Sequence, residues 1–71
     1  MLRGRDMTVS ETIYRKRRAL RLTQRELALL AGVSIPLVIR MEAGQSVTLD
    51  SLALVLDSLC LELQVVERRP W

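Results

Sequence analysis

The sequence contains no histidine, no phenylalanine and a single cysteine, Cys60. One cysteine excludes an intrachain disulfide and any zinc site built on cysteines, and the missing histidines remove the commonest general base and metal ligand. No nucleophile–base pair or metal cluster presents itself, so we expect no enzyme, no metal and no cofactor. Without phenylalanine the core must consist of leucine, valine, isoleucine and alanine, which suits a small helical bundle.

Long apolar runs are also missing. No run approaches the ~20 residues of a membrane span, and the first residues are not followed by a signal-peptide core. These absences predict a cytoplasmic protein with no membrane contact. A chain of 71 residues allows one domain. Because a chain this short buries only about 60% of its unfolded surface, we expect oligomerisation to support it.

Positive and negative charges are unevenly distributed along the chain. Through Gln45 there are nine arginines and lysines against four acids, and beyond it two against four. This predicts a positive field over the first two-thirds of the chain, where phosphates could bind. Ten of the eleven cations are arginine, the side chain that makes bidentate contacts to phosphate and to guanine.

The stretch from Thr23 to Gly44 predicts two short helices joined by a tight turn. Thr23 and Glu26 form a capping box at the first helix, and Gly32 can adopt the left-handed conformation that ends it. Ser34 caps the second helix, which Gly44 ends. This arrangement fits the helix-turn-helix motif, whose second helix lies in the DNA major groove.

Apolar residues repeat at helical spacing on one face of each of these two helices. Leu27, Ala28 and Ala31 are predicted to be buried on the first helix, and Val38 and Met41 on the second. A different face of the second helix carries Ile35, Pro36, Ile39 and Arg40. That face is predicted to be left for DNA.

The stretch resembles the helix-turn-helix of the lambda-repressor-like, or Xre, family of small bacterial and phage regulators. The matching segments are Thr23-Gln24, Glu26-Leu27-Ala28, Ala31-Gly32-Val33-Ser34 and Met41-Glu42-Ala43-Gly44, and the resemblance extends from about Ile13 to Leu61. It implies an all-α, lambda-repressor-like helical bundle that binds double-stranded DNA.

The resemblance also implies roles for particular residues. Gln24 would contact a backbone phosphate and brace the reading helix, and Arg17 would pair with Glu42. Arg18 and Arg25 are further expected phosphate contacts, and the loop that begins at Gln45 is expected to lend backbone amides to a phosphate. The base-reading positions would be Ser34, Ile35, Pro36, Ile39 and Arg40.

One feature departs from the family pattern, because the reading face is unusually apolar. Ile35, Pro36 and Ile39 stand where the family often has Gln, Ser, Thr or Arg. Apolar side chains contact thymine methyl groups but cannot hydrogen-bond base edges, which leaves Arg40 and Ser34 as the main polar readers. Either discrimination rests on Arg40, methyl contacts and DNA shape, or DNA binding is weak.

The sequence predicts a flexible basic arm over residues 1–8, followed by a helix-turn-helix DNA-binding domain over residues 9–60. The arm is either disordered or lies along the DNA. A second capping box, Thr8 with Glu11, begins a helix that should run from about Val9 to Leu20. We expect its inward residues to be Ile13, Arg17, Leu20 and Tyr14. Its outward cations form a solvated face or contact phosphates, and they are Arg15, Lys16, Arg18 and Arg21.

A fourth helix is predicted from Leu49 to about Leu59, with Thr48 as its cap. Its expected buried stripe comprises Leu49, Leu52, Ala53, Leu56 and Leu59, and Cys60 is expected to be a small core residue. Leu54 falls on the wet side. Because Leu29 and Leu30 also occupy positions that the family usually makes polar, these three leucines indicate a partner surface.

After Cys60 the apolar period changes from 3.6 to 2. Leu61, Leu63 and Val65 alternate with Glu62, Gln64 and Val66, which is typical of a half-buried strand. A lone strand pairs most economically with the same strand of a second copy, so residues 61–71 are predicted to be a dimerisation strand and tail of a homodimer. The alternative is a continuation of the fourth helix.

The C-terminal part of the chain resembles the HipB-type antitoxins, in which a single strand pairs between subunits. Trp71, the only tryptophan, is either a flexible end or an anchor for a partner. The resemblance implies a repressor that binds a pseudo-palindromic operator, binds a HipA-like kinase toxin and autoregulates its operon. The alternatives are a solitary phage-type or restriction-control regulator, and a helix-turn-helix fold used mainly as a protein-interaction module.

Overall fold

The computed structural model describes residues 8–64, and they form four α-helices. These are α1 (Val9–Ala19), α2 (Gln24–Ala31), α3 (Ile35–Glu42) and α4 (Leu49–Ser58). α2 packs against both α3 and α4, while α1 packs against α3. The predicted helical bundle is confirmed, with α1 and α4 each ending one residue before the predicted end.

Both predicted capping boxes are formed. At the start of α2, Thr23 Oγ1 accepts a hydrogen bond from the Glu26 N–H at 3.0 Å, and the Glu26 carboxylate accepts one from the Thr23 N–H at 2.8 Å. Thr8 and Glu11 make the same pair of bonds at the start of α1. The caps of α3 and α4, which each accept one backbone N–H, are Ser34 and Thr48. The four predicted helix starts are therefore confirmed.

Each of the four helices ends with a residue in the left-handed conformation. Gly32 (φ 73°) and Gly44 (φ 79°) follow α2 and α3, as the sequence predicts. Arg21 (φ 60°) and Cys60 (φ 59°) do the same after α1 and α4, although their Cβ atoms disfavour it. The predicted role of glycine is confirmed at two ends, and the other two ends use residues that no local rule selects.

The end of α4 excludes the alternative of a longer helix over residues 59–64. The Leu61 N–H donates to the Leu56 carbonyl at 2.8 Å, and the Cys60 N–H donates to the Asp57 carbonyl at 3.0 Å. These two bonds form a Schellman motif, which satisfies the last carbonyls and turns the chain away from the helix axis. Leu61 is half-buried and packs against the core, as such motifs favour.

The predicted strand over residues 61–66 is not seen. Residues 61–64 have no regular secondary structure, while Val65 and Val66 lie outside the described residues. A β-strand is stabilised by the hydrogen bonds of a paired strand. The strand therefore stays a prediction that concerns a two-chain assembly.

The core lies between all four helices and is aliphatic. Its buried members are Ile13, Leu27, Ala28, Ala31, Val38, Met41, Val55, Leu56 and Leu59. The predicted burial of α2 and α3 is confirmed. Ala28 and Ala31 are small, which lets α2 approach the helices packed against it closely.

The predicted buried stripe of α4 was partly wrong. Val55 is fully buried, whereas Leu49 is 68% exposed and Ala53 is also exposed. The buried face is rotated by roughly 50° from the predicted one, about half the angular step between successive residues. The reason is that α4 is apolar around most of its circumference, so the period alone does not fix which side faces the core.

Three further burial predictions were wrong. Leu20 and Tyr14 are close to half exposed, because α1 contacts only α3 extensively and turns the flanks of its inward face to solvent. Cys60 is exposed. It occupies the left-handed position that ends α4, which points its side chain away from the core.

Candidate nucleic-acid interface

α3 presents one row of exposed side chains. Pro36, Ile39 and Arg40 lie at the spacing of one helix face and are all exposed, with Ile39 47% accessible. On the opposite side Val38 and Met41 are buried. The remaining predicted readers differ, since Ser34 is exposed while Ile35 is half-buried against the core.

Arg40 has an intramolecular partner. Its Nη2 donates to the backbone carbonyl of Ser46 at 2.7 Å, which connects the last turn of α3 to the loop before α4. A guanidinium has five N–H donors, so one such bond leaves the group able to contact a ligand. Arg40 is therefore oriented along the edge of α3 by the loop.

Arg17 and Glu42 meet in a nearly solvent-free ion pair. Nε of Arg17 donates to Oε2 of Glu42 at 2.6 Å and Nη2 donates to Oε1 at 3.0 Å, which is bidentate geometry. The exposed fractions of the two side chains are 8% and 6%. The third nitrogen, Nη1, donates to the Leu22 carbonyl at 2.7 Å. One guanidinium thus connects α1, the α1–α2 turn and the end of α3.

Gln24 joins this network. Its Nε2 donates to Glu42 Oε1 at 3.1 Å, so the first residue of α2 contacts the last residue of α3. Within residues 8–64 no buried side-chain nitrogen or oxygen lacks a hydrogen-bond partner. The network holds α3 against α1 and α2 at its C-terminal end, while Val38 and Met41 fix its middle.

Arg25 lies beside the start of α3. It lines a shallow groove of about 310 Å³ with Leu29, Ser34 and Ile35, and its side chain is exposed. The structure therefore brings together one predicted phosphate contact and two predicted base-reading residues. These residues lie at the N-terminal end of α3, which is the end that contacts base edges when such a helix lies in the major groove.

Arg18 lies against Tyr14. Its Nη1 donates to the Tyr14 hydroxyl at 3.2 Å, and its guanidinium carbon is 5.7 Å from the centre of the ring. Arg17 lies 5.4 Å from the same ring. These cation–π contacts hold two arginines of α1 side by side. Arg18 also lines a groove with Arg21 and Thr23, at the turn between α1 and α2.

The loop after α3 is used differently from the expectation that its amides are free for a phosphate. The Gln45 N–H donates to the Arg40 carbonyl at 3.0 Å, because the Schellman motif that ends α3 requires this amide. The Gln45 side chain is exposed. A phosphate contact at this position would have to come from the side chain.

Comparison with known proteins agrees with the two-helix geometry. A family model described as helix-turn-helix matches residues 13–63, which is most of the chain. The chain belongs to the Xre, or lambda-repressor-like, helix-turn-helix family. No curated protein matches it. Family membership indicates a DNA-binding regulator as the general role of this chain.

In this helix-turn-helix protein the predicted partner-surface leucines are exposed. Leu29 and Leu30 on α2 are 82% and 61% accessible, and Leu54 on α4 is also exposed. Leu29 lies in the groove beside the start of α3, and Leu54 lies on the outer side of α4. Trp71 lies outside the described residues.

The residues predicted to form the dimer are placed only in part. Leu61 is half-buried against the helix-turn-helix core and Leu63 is close to half exposed. Val65 lies outside the described residues.

None of the helices within residues 8–64 is long and apolar enough to cross a membrane.

Sequence reasoning missed three contacts of this interface. They are the bond from Arg17 to the Leu22 carbonyl, the bond from Arg40 to the Ser46 carbonyl and the stacking of Tyr14 with two arginines. The Tyr14–Arg18 contact could have been found, because an i, i+4 pair of these residue types lies on one helix face. The two backbone acceptors depend on loop conformation, which no side-chain pattern reveals.

Proposed function

We propose that this helix-turn-helix protein is a sequence-specific transcriptional repressor that reads its operator with α3. The observation that carries the proposal is the exposed row Pro36, Ile39 and Arg40 on a helix whose other side is fixed by Val38 and Met41. Direct readout requires side chains held at a defined spacing along the major groove. A buried ion pair at one end and a core contact along its length give α3 that rigidity.

The chemistry of the row suits a particular mode of readout. Arg40 can exchange the Ser46 carbonyl for the two acceptors of a guanine edge, and Ser34 can bond to several bases. Pro36 and Ile39 contact thymine methyl groups, and the half-buried Ile35 closes the same apolar strip. The operator should therefore combine a guanine with flanking thymines in each half-site.

Phosphate contacts are assigned to four side chains of the first three helices and the loop after them. They are Gln24 and Arg25 at the start of α2, Gln45 after α3 and Arg18 near the end of α1. Within residues 8–45 the chain carries seven cations and three acids, and within residues 46–64 no cations and three acids. This asymmetry supports DNA on the side of the first three helices, since phosphates attract the positive half.

The repressor is proposed to act as a homodimer. Residues 61–66 of two copies would pair as antiparallel strands, with Leu61, Leu63 and Val65 on the covered face. Two copies related by a two-fold axis would read a pseudo-palindrome with half-sites about one helical turn, ~34 Å, apart. The support is the change of period at Leu61 and the turn that directs the chain away from α4.

Within the family, we assign the protein to the HipB-like antitoxins. It would bind a HipA-like kinase toxin and repress its own operon, alone or with the toxin. The support is the single alternating segment after α4 and the presence of Trp71 in the sequence of the tail. Three exposed leucines, Leu29, Leu30 and Leu54, could also contact a partner. A toxin-kinase gene beside this one would agree with the assignment.

The experiment for the α3 assignment compares Arg40→Ala with Arg15→Ala on two duplexes, the protein's own upstream promoter and a scrambled copy. A bidentate base contact is worth about 1–3 kcal/mol of discrimination, so Arg40→Ala should weaken promoter binding roughly tenfold or more while changing scrambled binding little. Arg15 is an exposed arginine of α1. Its variant should affect the two duplexes equally, as loss of a phosphate contact does.

An Arg40→Ala variant with unchanged affinity and unchanged base preference contradicts the reading assignment. If wild-type binding is also weak and equal on both duplexes, the fold serves as a protein-interaction module. Leu29 and Leu30 then become the residues to replace.

A further inference from the structure

The outer face of α4 is apolar and has an acidic border. Leu49 and Ala53 are exposed and adjacent on the helix surface, and the exposed Asp50 and Asp57 border them. Leu54 lies on the far side of these two acids. The three apolar residues are the part of the apolar circumference of α4 that the core does not use. An exposed apolar strip of this kind marks a contact surface.

The C-terminal end of that face opens into a groove. It has a volume of about 500 Å³ and is lined by Ala53, Asp57, Cys60, Leu61, Glu62 and Leu63. Its lining is mixed, since Leu61 and Leu63 are apolar while Asp57 and Glu62 carry carboxylates. Residues 60–63 line the groove as the chain leaves α4, so the groove lies beside the last described part of the chain.

Charge determines which kind of segment fits. Residues 46–64 contain three acids and no cation. If the α4 faces of two copies met directly, like charges would come together at the border, which is unfavourable. The occupant should therefore combine apolar side chains with positive charge.

Residues 67–71 of this chain, Glu67-Arg68-Arg69-Pro70-Trp71, have that composition. Arg68 and Arg69 complement Asp57 and Glu62, and Trp71 offers a large apolar surface for the strip. Five extended residues span about 17 Å and a ten-residue helix is about 15 Å long, so the segment can follow α4 to Leu49. Pro70 suits a groove because it needs no amide partner.

Strand pairing decides whose groove the segment reaches. If residues 61–65 pair with the same residues of a second copy, the two-fold axis passes beside Leu63, and residue 65 of one copy lies opposite residue 61 of the other. Residue 61 lines the groove. The segment 67–71 of each copy therefore begins beside the groove of its partner.

We propose that the C-terminal segment 67–71 is exchanged between the two copies and covers the α4 groove of the other copy. This rests on the proposed homodimer and extends it, because the dimer is then held by two reciprocal side-chain contacts as well as by the strands. In the absence of a toxin, Trp71 is buried against Ala53 and Leu49 of the other copy.

The test uses Trp71 as a reporter, since it is the only tryptophan in the sequence. Acrylamide quenching of its fluorescence and sedimentation velocity are measured on the same samples. Wild-type dimer should protect Trp71 relative to the urea-unfolded chain. Ala53→Arg and Asp57→Lys, both at exposed positions of the groove, should remove the protection. Ala19→Arg, the same change at an exposed position of α1, should leave it unchanged.

Each result separates the exchange from the dimer. A dimer in which Trp71 is quenched as in the unfolded chain overturns the exchange and leaves the dimer standing. A monomer overturns both, and DNA binding is then judged independently. Protection that persists in the monomer after dilution also overturns the exchange, because the segment is then bound to its own chain.

Discussion

At the scale of single residues, the orientation of α3 depends most on Arg17. Its three nitrogens reach Glu42 twice and the Leu22 carbonyl once, and Gln24 supplies a further donor to the same carboxylate. Removing one member of a buried pair leaves an uncompensated charge, whereas replacing both members by apolar residues does not. The pair therefore fixes the position of α3 as well as contributing to stability.

Glu42→Ala should lower the free energy of unfolding by about 3–5 kcal/mol, because the Arg17 guanidinium loses its buried counter-charge. The measurement is urea denaturation followed by circular dichroism. Arg15→Ala is the control, since this charged side chain is exposed on α1, and it should change stability by less than about 0.5 kcal/mol. The double variant Arg17→Met with Glu42→Leu should recover much of the loss. Equal stabilities for Glu42→Ala and wild type would show that the pair is not structurally important.

At the scale of elements, helix starts were predictable and helix ends were predictable only in part. Thr23 and Glu26 stand at a spacing with one strong local meaning, so the start of α2 could be predicted from two residues. Gly32 and Gly44 likewise predict ends. Arg21 and Cys60 carry no such local meaning, because the packing that places them in the left-handed conformation is determined by the whole bundle.

The candidate site was also predictable only in part. The outward positions Pro36, Ile39 and Arg40 follow from the helical period, since Val38 and Met41 define the opposite side. The half-burial of Ile35 and the Arg40–Ser46 bond could not be predicted, because both depend on how the loops return to the bundle. The face of α4 was misplaced for a related reason, as its apolar residues surround the helix.

Two substitutions at helix ends should change the free energy of unfolding in opposite directions. Cys60→Gly should stabilise the protein by about 0.5–1 kcal/mol, because glycine adopts positive φ without a Cβ clash. Gly32→Ala should destabilise it by roughly 1–2 kcal/mol through the backbone alone, since a Cβ at Gly32 would meet no atom within 4 Å. Both changes in the free energy of unfolding are to be measured by thermal or urea denaturation. A stabilising Gly32→Ala would contradict the left-handed assignment of this helix end.

At the scale of the whole molecule, charge and apolar surface lie on different parts of the fold. Within residues 8–64 the cations lie on α1, α2, α3 and the α1–α2 turn, and the exposed apolar strip with its acidic border belongs to α4. The proposed repressor would bind a polyanion and a second copy at the same time. Separation of the two surfaces allows both contacts without competition between phosphates and acids.

The central claim, that α3 reads a specific DNA sequence, is tested most directly by titrating the protein's own upstream promoter and a scrambled duplex at two salt concentrations. We predict tighter binding to the promoter at both concentrations. We also predict a steep loss of affinity with salt on both duplexes, about 0.9 in the log–log slope for each phosphate neutralised. Equal and salt-insensitive binding to the two duplexes would contradict the account, because neither base readout nor phosphate contact would then be present.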